Sequence, residues 1–126
     1  MSAGLAVQAY RQIGQQGVPE DKLLVLGLDG ILEYLRRAKT AIAEGAADRK
    51  VQAMGRSYQL VEHLLAALPP NDAQQSALGA RLEGVYKYLL ERLGQANIFD
   101  DVQALDDCAA VVTALRESWI EGLRQA

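Results

Sequence analysis

Few residues in the chain have the types and spacing that chemistry requires. His63 is the only histidine and Cys108 the only cysteine among 126 residues. A carboxylate-bridged metal centre in a helical bundle draws on two Glu-x-x-His pairs, which takes two histidines, whereas His63 directly follows Glu62. His63 therefore reads as a partly exposed helix residue. A lone thiol builds neither an internal disulfide nor a thiolate metal site, and Cys108 sits where a small core side chain belongs. The acid pairs Asp100-Asp101 and Asp106-Asp107 fall in the first turns of the last helical segment, where carboxylates complement the helix dipole. No glycine-rich, phosphate-cradling loop precedes a helix. No catalytic residue, metal or cofactor is expected, and the chain is expected to act by binding rather than as an enzyme.

Binding surfaces are set by the elements that carry them. Breaks fall at Gly17-Val18-Pro19, near Gly45, at Pro69-Pro70-Asn71-Asp72 and at Asn97-Ile98-Phe99-Asp100. Between them, apolar residues recur at spacings of three and four, which match one face of a helix and not the alternation of a strand. The stripes are Leu24, Leu28, Ile31, Leu35, Ala38, Ile42; then Val51, Met54, Tyr58, Val61, Leu65, Leu68; then Leu82, Tyr86, Leu89, Leu93, Ala96; then Leu105, Cys108, Val112, Leu115, Trp119. Asn71 with Gln74 and Asp100 with Gln103 have capping spacing, and Pro19-Glu20-Asp21 suits a first turn. Arg36, Arg37, Lys39 and Arg92 lie near helix ends, and Asn97 suits a left-handed helix terminus. Short connections make successive helices fold back on one another. The fold class is all-α, an antiparallel four-helix bundle (residues 19–126) preceded by a short N-terminal helical segment (1–18), forming one domain over 1–126.

Composition agrees with this. Hydrophobic residues make up 50% of the chain, chiefly the strong helix formers Ala and Leu, which excludes disorder as the dominant state. A net charge of −3 argues against nucleic acid as a partner. No secretory signal is visible, and the apolar run Leu23–Leu28 is far short of a membrane span, so a reduced, cytoplasmic protein without membrane insertion is expected. Gly27, Gly30, Gly55, Gly79, Gly84 and Gly94 lie inside helical patterns, where close helix approach or a deformable bundle explains them. Leu60, Leu64, Leu90 and Val111, with Leu5, Val7, Tyr10 and Ile13 near the start, widen the apolar faces. These either complete an ordinary core or leave a groove for a partner's amphipathic helix, with the N-terminal segment as a lid.

The chain resembles the FliS-type flagellin export chaperones. The resemblance rests on Leu82-x3-Tyr86-x-Tyr88, Arg92-Leu93-x2-Ala96-Asn97, Asp100 or Asp101 with Leu105, and Leu115-Arg116-x2-Trp119. Upstream, Ala9-Tyr10, Pro19, Leu23, Asp29-Gly30 and Ala38 also fit, so it spans about residues 9–121. Departures are Gly27-Leu28-Asp29-Gly30 in place of Leu-Tyr-Asp-Gly, Val85-Tyr86 in place of Leu-Tyr, and Leu68-Pro69-Pro70 where the family often has Leu-Asp.

The resemblance implies a cytoplasmic four-helix bundle that binds the C-terminal region of flagellin. It would prevent premature polymerisation and help present the cargo to the flagellar type III export gate. On this reading Tyr10 and Ile13 gate or border the binding groove, and Tyr86, Leu89, Leu90, Leu93 and Asn97 help form it. Tyr86, Leu89 and Leu93 also fit the core stripe, and Trp119 reads as a core anchor. The alternatives are a helical adaptor or chaperone for another secreted protein, a structural homodimer in which the spare face meets its own copy, and a small-molecule-binding bundle or enzyme, which the missing polar constellation disfavours.

Overall fold

Each long Ala/Leu-rich segment is helical. The computed structural model describes residues 20–68 and 77–125, which form α1 (Glu20–Ala43), α2 (Ala47–Ala66), α3 (Ala77–Phe99) and α4 (Val102–Gln125). No strand occurs among the described residues. Tyr10, Ile13, Pro19 and the Asn71/Gln74 cap lie outside them.

Pairings between helices fix the topology. Gly27 and Gly30 of α1 face Leu64 and Leu60 of α2. Arg116 of α4 pairs with Asp29 of α1 at 2.5 Å, and Lys39 with Asp106 at 3.0 Å. Lys50 of α2 reaches Asn97 and Asp100 at the end of α3, and Arg92 of α3 reaches Asp107 of α4. In the α1/α2 and α1/α4 pairs one number rises as the other falls, so these neighbours run antiparallel, and the helices touch in the cyclic order α1–α2–α3–α4. The fold is an all-α four-helix bundle.

The core stripes of α1, α3 and α4 match the sequence reading at most positions. Leu24, Leu28, Ile31, Leu35, Ala38, Leu82, Tyr86, Leu89, Leu93, Ala96, Leu105, Cys108, Val112 and Trp119 are all buried. In α1, Ala41 is buried in place of Ile42, which packs partly exposed, as does Leu115 in α4. The second helix is turned partway from its expected register: Met54, Val61 and, just past its end, Leu68 are buried as expected. Val51 is 57% exposed and Tyr58 38%, Leu65 is partly exposed, and Ala53, Met54, Ser57, Val61 and Leu64 face inward. Small side chains explain the turn. Ala53 and Ser57 take little space in the core, and the Ser57 hydroxyl donates to the Met54 carbonyl at 2.9 Å, so no buried donor is left unmet.

The turns differ from expectation in a similar way. Gly45, at φ 68°, ends α1, with the Ala46 N–H donating to the Ala41 carbonyl and the Gly45 N–H to that of Ile42. This is a Schellman closure, which needs a left-handed residue. At the other turn, α3 continues through Ile98 and Phe99, so Asn97 is helical and Asp100, at φ 51°, takes the left-handed position. The Asp101 N–H then donates to the Ala96 carbonyl, and the Asp101 carboxylate accepts from the Ala104 N–H at 3.1 Å. The cap is therefore Asp101, one residue later than the Asp100/Gln103 pairing predicted; Gln103 instead donates to Asp107. The basic residues expected to serve helix ends instead make ion pairs: Arg36 and Arg37 with Glu33, Lys39 with Asp106, and Arg92 with Asp107.

Candidate functional site

Lateral ion pairs close the seam between α1 and α4 along part of its length. Lys39–Asp106 and Asp29–Arg116 clamp it at two levels. Beyond them, toward the start of α1 and the end of α4, the seam opens into a cleft of about 340 Å³. Val25 and Leu26 line one wall, Ile120 and Leu123 the other, and Lys22 stands at the rim. The periodicity of each helix produces this arrangement. Leu24 and Leu28 hold the buried stripe of α1, so Leu23 and Leu26 project from its flanks and are 49% and 60% exposed. In α4, Trp119 anchors the core, and Ile120 and Leu123 lie partly exposed beside it.

A second apolar surface lies at the far end of α3. Ile98 and Phe99 are 73% and 74% exposed in the last helical turn. Lys50 fixes this end by donating to the Asn97 carbonyl at 3.1 Å and the Asp100 carboxylate at 2.5 Å.

Of the residues expected to form a groove, Tyr86, Leu89 and Leu93 lie in the core, Leu90 packs half-buried against it, and Asn97 is exposed. None of them lines the α1/α4 cleft. The sequence reasoning missed Leu23, Leu26, Ile98, Phe99, Ile120 and Leu123. Their signal was present: each is a large apolar residue lying next to a stripe or a break instead of on the stripe.

Burial pushes the Cys108 thiol up to about 11 and leaves it a neutral core side chain. His63 is exposed near the end of α2. Hydrogen bonds from Gln103 and Arg92 hold the Asp107 carboxyl below its usual range. Among the described residues no cluster of His, Cys, Asp and Glu is disposed to hold a metal ion. Nor is any helix there long and apolar enough to cross a membrane. What the two surfaces can do is cover the apolar face of another polypeptide.

The family model described as flagellar protein FliS matches residues 2–126. The chain belongs to the FliS family. It is 27% identical over 127 residues to flagellar secretion chaperone FliS of Escherichia coli (strain K12), covering 98% of this chain and 93% of that one. Flagellar secretion chaperone FliS of Bacillus subtilis (strain 168) is 27% identical over 116 residues, covering 92% and 84%. That of Campylobacter jejuni is 28% identical over 122 residues, covering 96% and 93%. The FliS family is one of flagellar secretion chaperones and not a class of enzymes.

Proposed function

We propose that this bundle binds the C-terminal segment of flagellin in the cytoplasm, keeps it from polymerising early and assists its delivery to the flagellar type III export apparatus. The observation that carries the reading is an apolar cleft left open on a bundle of the flagellar secretion chaperone family. A filament subunit's terminal segment has an apolar face that it buries against its neighbours once assembled. Laying that face on the bundle hides it without any covalent step.

The binding surface proposed is the α1/α4 cleft together with the exposed flank of α3. Val25, Leu26, Ile120 and Leu123 form the cleft. Leu90 and Asn97 lie on α3, with Tyr86, Leu89 and Leu93 supporting them from the core; Tyr10 and Ile13, which fall outside the described residues, are included in the proposal as residues that gate or border the groove. Full burial of a Leu side chain is worth roughly 1.5–3 kcal/mol, so covering a half-exposed Leu23 or Leu26 yields about 1 kcal/mol each. Ordering a flexible segment costs about 2–5 kcal/mol, so several such contacts are needed and the guest must wrap around the bundle.

Calorimetry with a synthetic peptide from the C-terminal end of the flagellin encoded in the same genome tests the proposal. Heat release is expected with it and none with an N-terminal flagellin peptide. Leu26→Asp and Leu90→Asp should each weaken binding by about tenfold or more, because an unpaired carboxylate is then desolvated. Their unfolding midpoints, followed by circular dichroism, show whether the fold is retained. No heat with the C-terminal peptide, or full affinity in both folded variants, overturns the reading.

A further inference from the structure

A second cleft opens between α1 and α2, near the turn that joins them, and its character is opposite to that of the apolar one. It has a volume of about 410 Å³, and the walls carry Arg36 and Arg37 from α1 and Arg49 and Arg56 from α2. We infer that this arginine cleft is a docking site for an extended acidic segment of a partner protein, independent of whatever the apolar cleft binds.

The charge distribution is the first argument. Residues 33–56 hold six cationic and three anionic side chains, a net of +3, whereas the remaining 102 residues net −6. A local basic site on an acidic protein attracts a short acidic segment that stays within it, while the surrounding acids repel a nucleic-acid strand long enough to run past the cleft. The local acids leave cationic capacity unspent. Glu33 accepts from Arg36 at 2.6 Å and from Arg37 at 3.0 Å, so one carboxylate serves two guanidinium groups. Arg49 pairs with Glu44, and Arg56 has no ion-pair partner among the described residues. Tyr34 lies under Arg37, its ring centroid 5.4 Å away, which holds that guanidinium in place before any ligand arrives.

Spacing selects the ligand. Arg49 and Arg56 are seven residues apart on one face of α2, about 10.5 Å along the axis. A single phosphate group is too small to engage both. An extended segment of polyproline-II type repeats every three residues with a rise of 3.1 Å, so carboxylates at i and i+3 project on one side about 9 Å apart. Each then meets a guanidinium fork with bidentate geometry.

The chain has no extended acidic segment of its own to supply this ligand: residues 1–19 hold no Asp or Glu, residues 69–76 hold only Asp72, and the other acids lie on the helices or at their ends. Asp100 is held by Lys50, Asp101 caps α4, Asp106 pairs with Lys39 and Asp107 with Arg92. A different protein therefore provides it. The arginine cleft involves α1 residues 34–40 and the apolar cleft residues 22–26, at opposite ends of α1, so both fill at once.

The test uses the full chain labelled with 15N and a Ser/Gly-rich peptide carrying Glu-x-x-Glu, with the Gln-x-x-Gln peptide as its control. Shifts confined to residues 34–56 are expected, weakening with salt. Affinity should fall about tenfold with the Gln peptide and in the Arg49→Gln/Arg56→Gln variant, and stay unchanged in Arg124→Gln, which lies outside the cleft. Amide spectra of each variant verify folding. The assignment is overturned by no shifts at millimolar peptide, equal binding of the Gln peptide, or shifts elsewhere. It is also overturned if inorganic phosphate matches the peptide, which makes this a small-anion site, or if light scattering shows the chain dimerising through these arginines.

Discussion

Gly55, Gly84 and Gly94 lie inside helices with open space where a Cβ would stand, whereas a Cβ on Gly30 would come within 3.1 Å of Leu60 Cδ1. Alanine in place of glycine within a helix is worth about 0.8–1 kcal/mol when nothing obstructs it. Gly55 is on α2, and Gly84 and Gly94 lie three turns apart on α3, so their gains add to about 2–3 kcal/mol in the triple variant. Unfolding entropy near 2.1 cal/mol/K per residue gives about 0.26 kcal/mol per degree for this length. Each single variant should therefore melt about 4 °C higher and the triple about 8–12 °C higher. At Gly30 the same propensity gain is offset because the half-buried Leu60 must shift, and the net change should lie within about 0.5 kcal/mol of zero. Thermal and urea unfolding by circular dichroism measure both. Failure of the three open sites to stabilise, or a Gly30→Ala gain as large as theirs, refutes the reasoning. The triple variant also separates the two explanations of the glycines. If softness helps the bundle accept its cargo, the stabilised protein binds the flagellin peptide more weakly; unchanged affinity removes that role.

Lys50→Met removes the donor shared by the Asn97 carbonyl and the Asp100 carboxylate, and since the Lys50 side chain is only 15% exposed, the loss should be about 1–3 kcal/mol. Lys39→Met, from a pair with both side chains about half exposed, should cost less than about 1 kcal/mol in the same urea titration. Trp119→Ala should cost about 3–5 kcal/mol, a large share of the stability of a domain this size, read from its denaturation midpoint by circular dichroism. Hydrogen bonds from Arg36 and then Arg37 hold the Glu33 carboxyl at about 2 instead of 4.5. Because the folded value is the lower one, whatever stability this group gives is complete above pH 4.5 and is lost as pH falls toward 2. A 13C titration of the Glu33 carboxyl should show this depressed midpoint in low salt and a rise in molar salt; a midpoint at 4.5 in low salt contradicts it.

Periodicity made the bundle legible because a helix shows its core side as a repeat, and Leu82, Tyr86, Leu89, Leu93 and Ala96 allow only one face. It was less decisive for α2. There two overlapping stripes were available, one through Tyr58 and Leu65 and one through Ser57 and Leu64, and hydrophobicity favours the wrong one. The choice was made by the size of Ala53 and Ser57 and by a local hydrogen bond that satisfies the Ser57 hydroxyl, neither of which is visible as an apolar pattern. The α3–α4 turn misled for a related reason. Ile98 and Phe99 sit directly before two aspartates and look like the start of a loop, but the left-handed residue is Asp100, and the helix runs on to meet it.

The clefts were harder to read than the core because an opening depends on what does not cover it. Leu26 stands two residues from Leu24 and two from Leu28, and nothing in that run distinguishes the exposed leucine from its buried neighbours except the stripe itself. Whether Leu26 then meets another helix depends on where α1 and α4 are clamped. Asp29–Arg116 and Lys39–Asp106 supply the clamps, and they join residues 87 and 67 positions apart, a separation at which no local pattern operates. The same holds for the arginine cleft. Arg36 and Arg37 look like ordinary surface charge until the Gly45 turn folds Arg49 and Arg56 back beside them. Residue types could announce a bundle with apolar surface to spare, but packing and charge pairing between residues far apart in the sequence decide which part of that surface stays open to a guest.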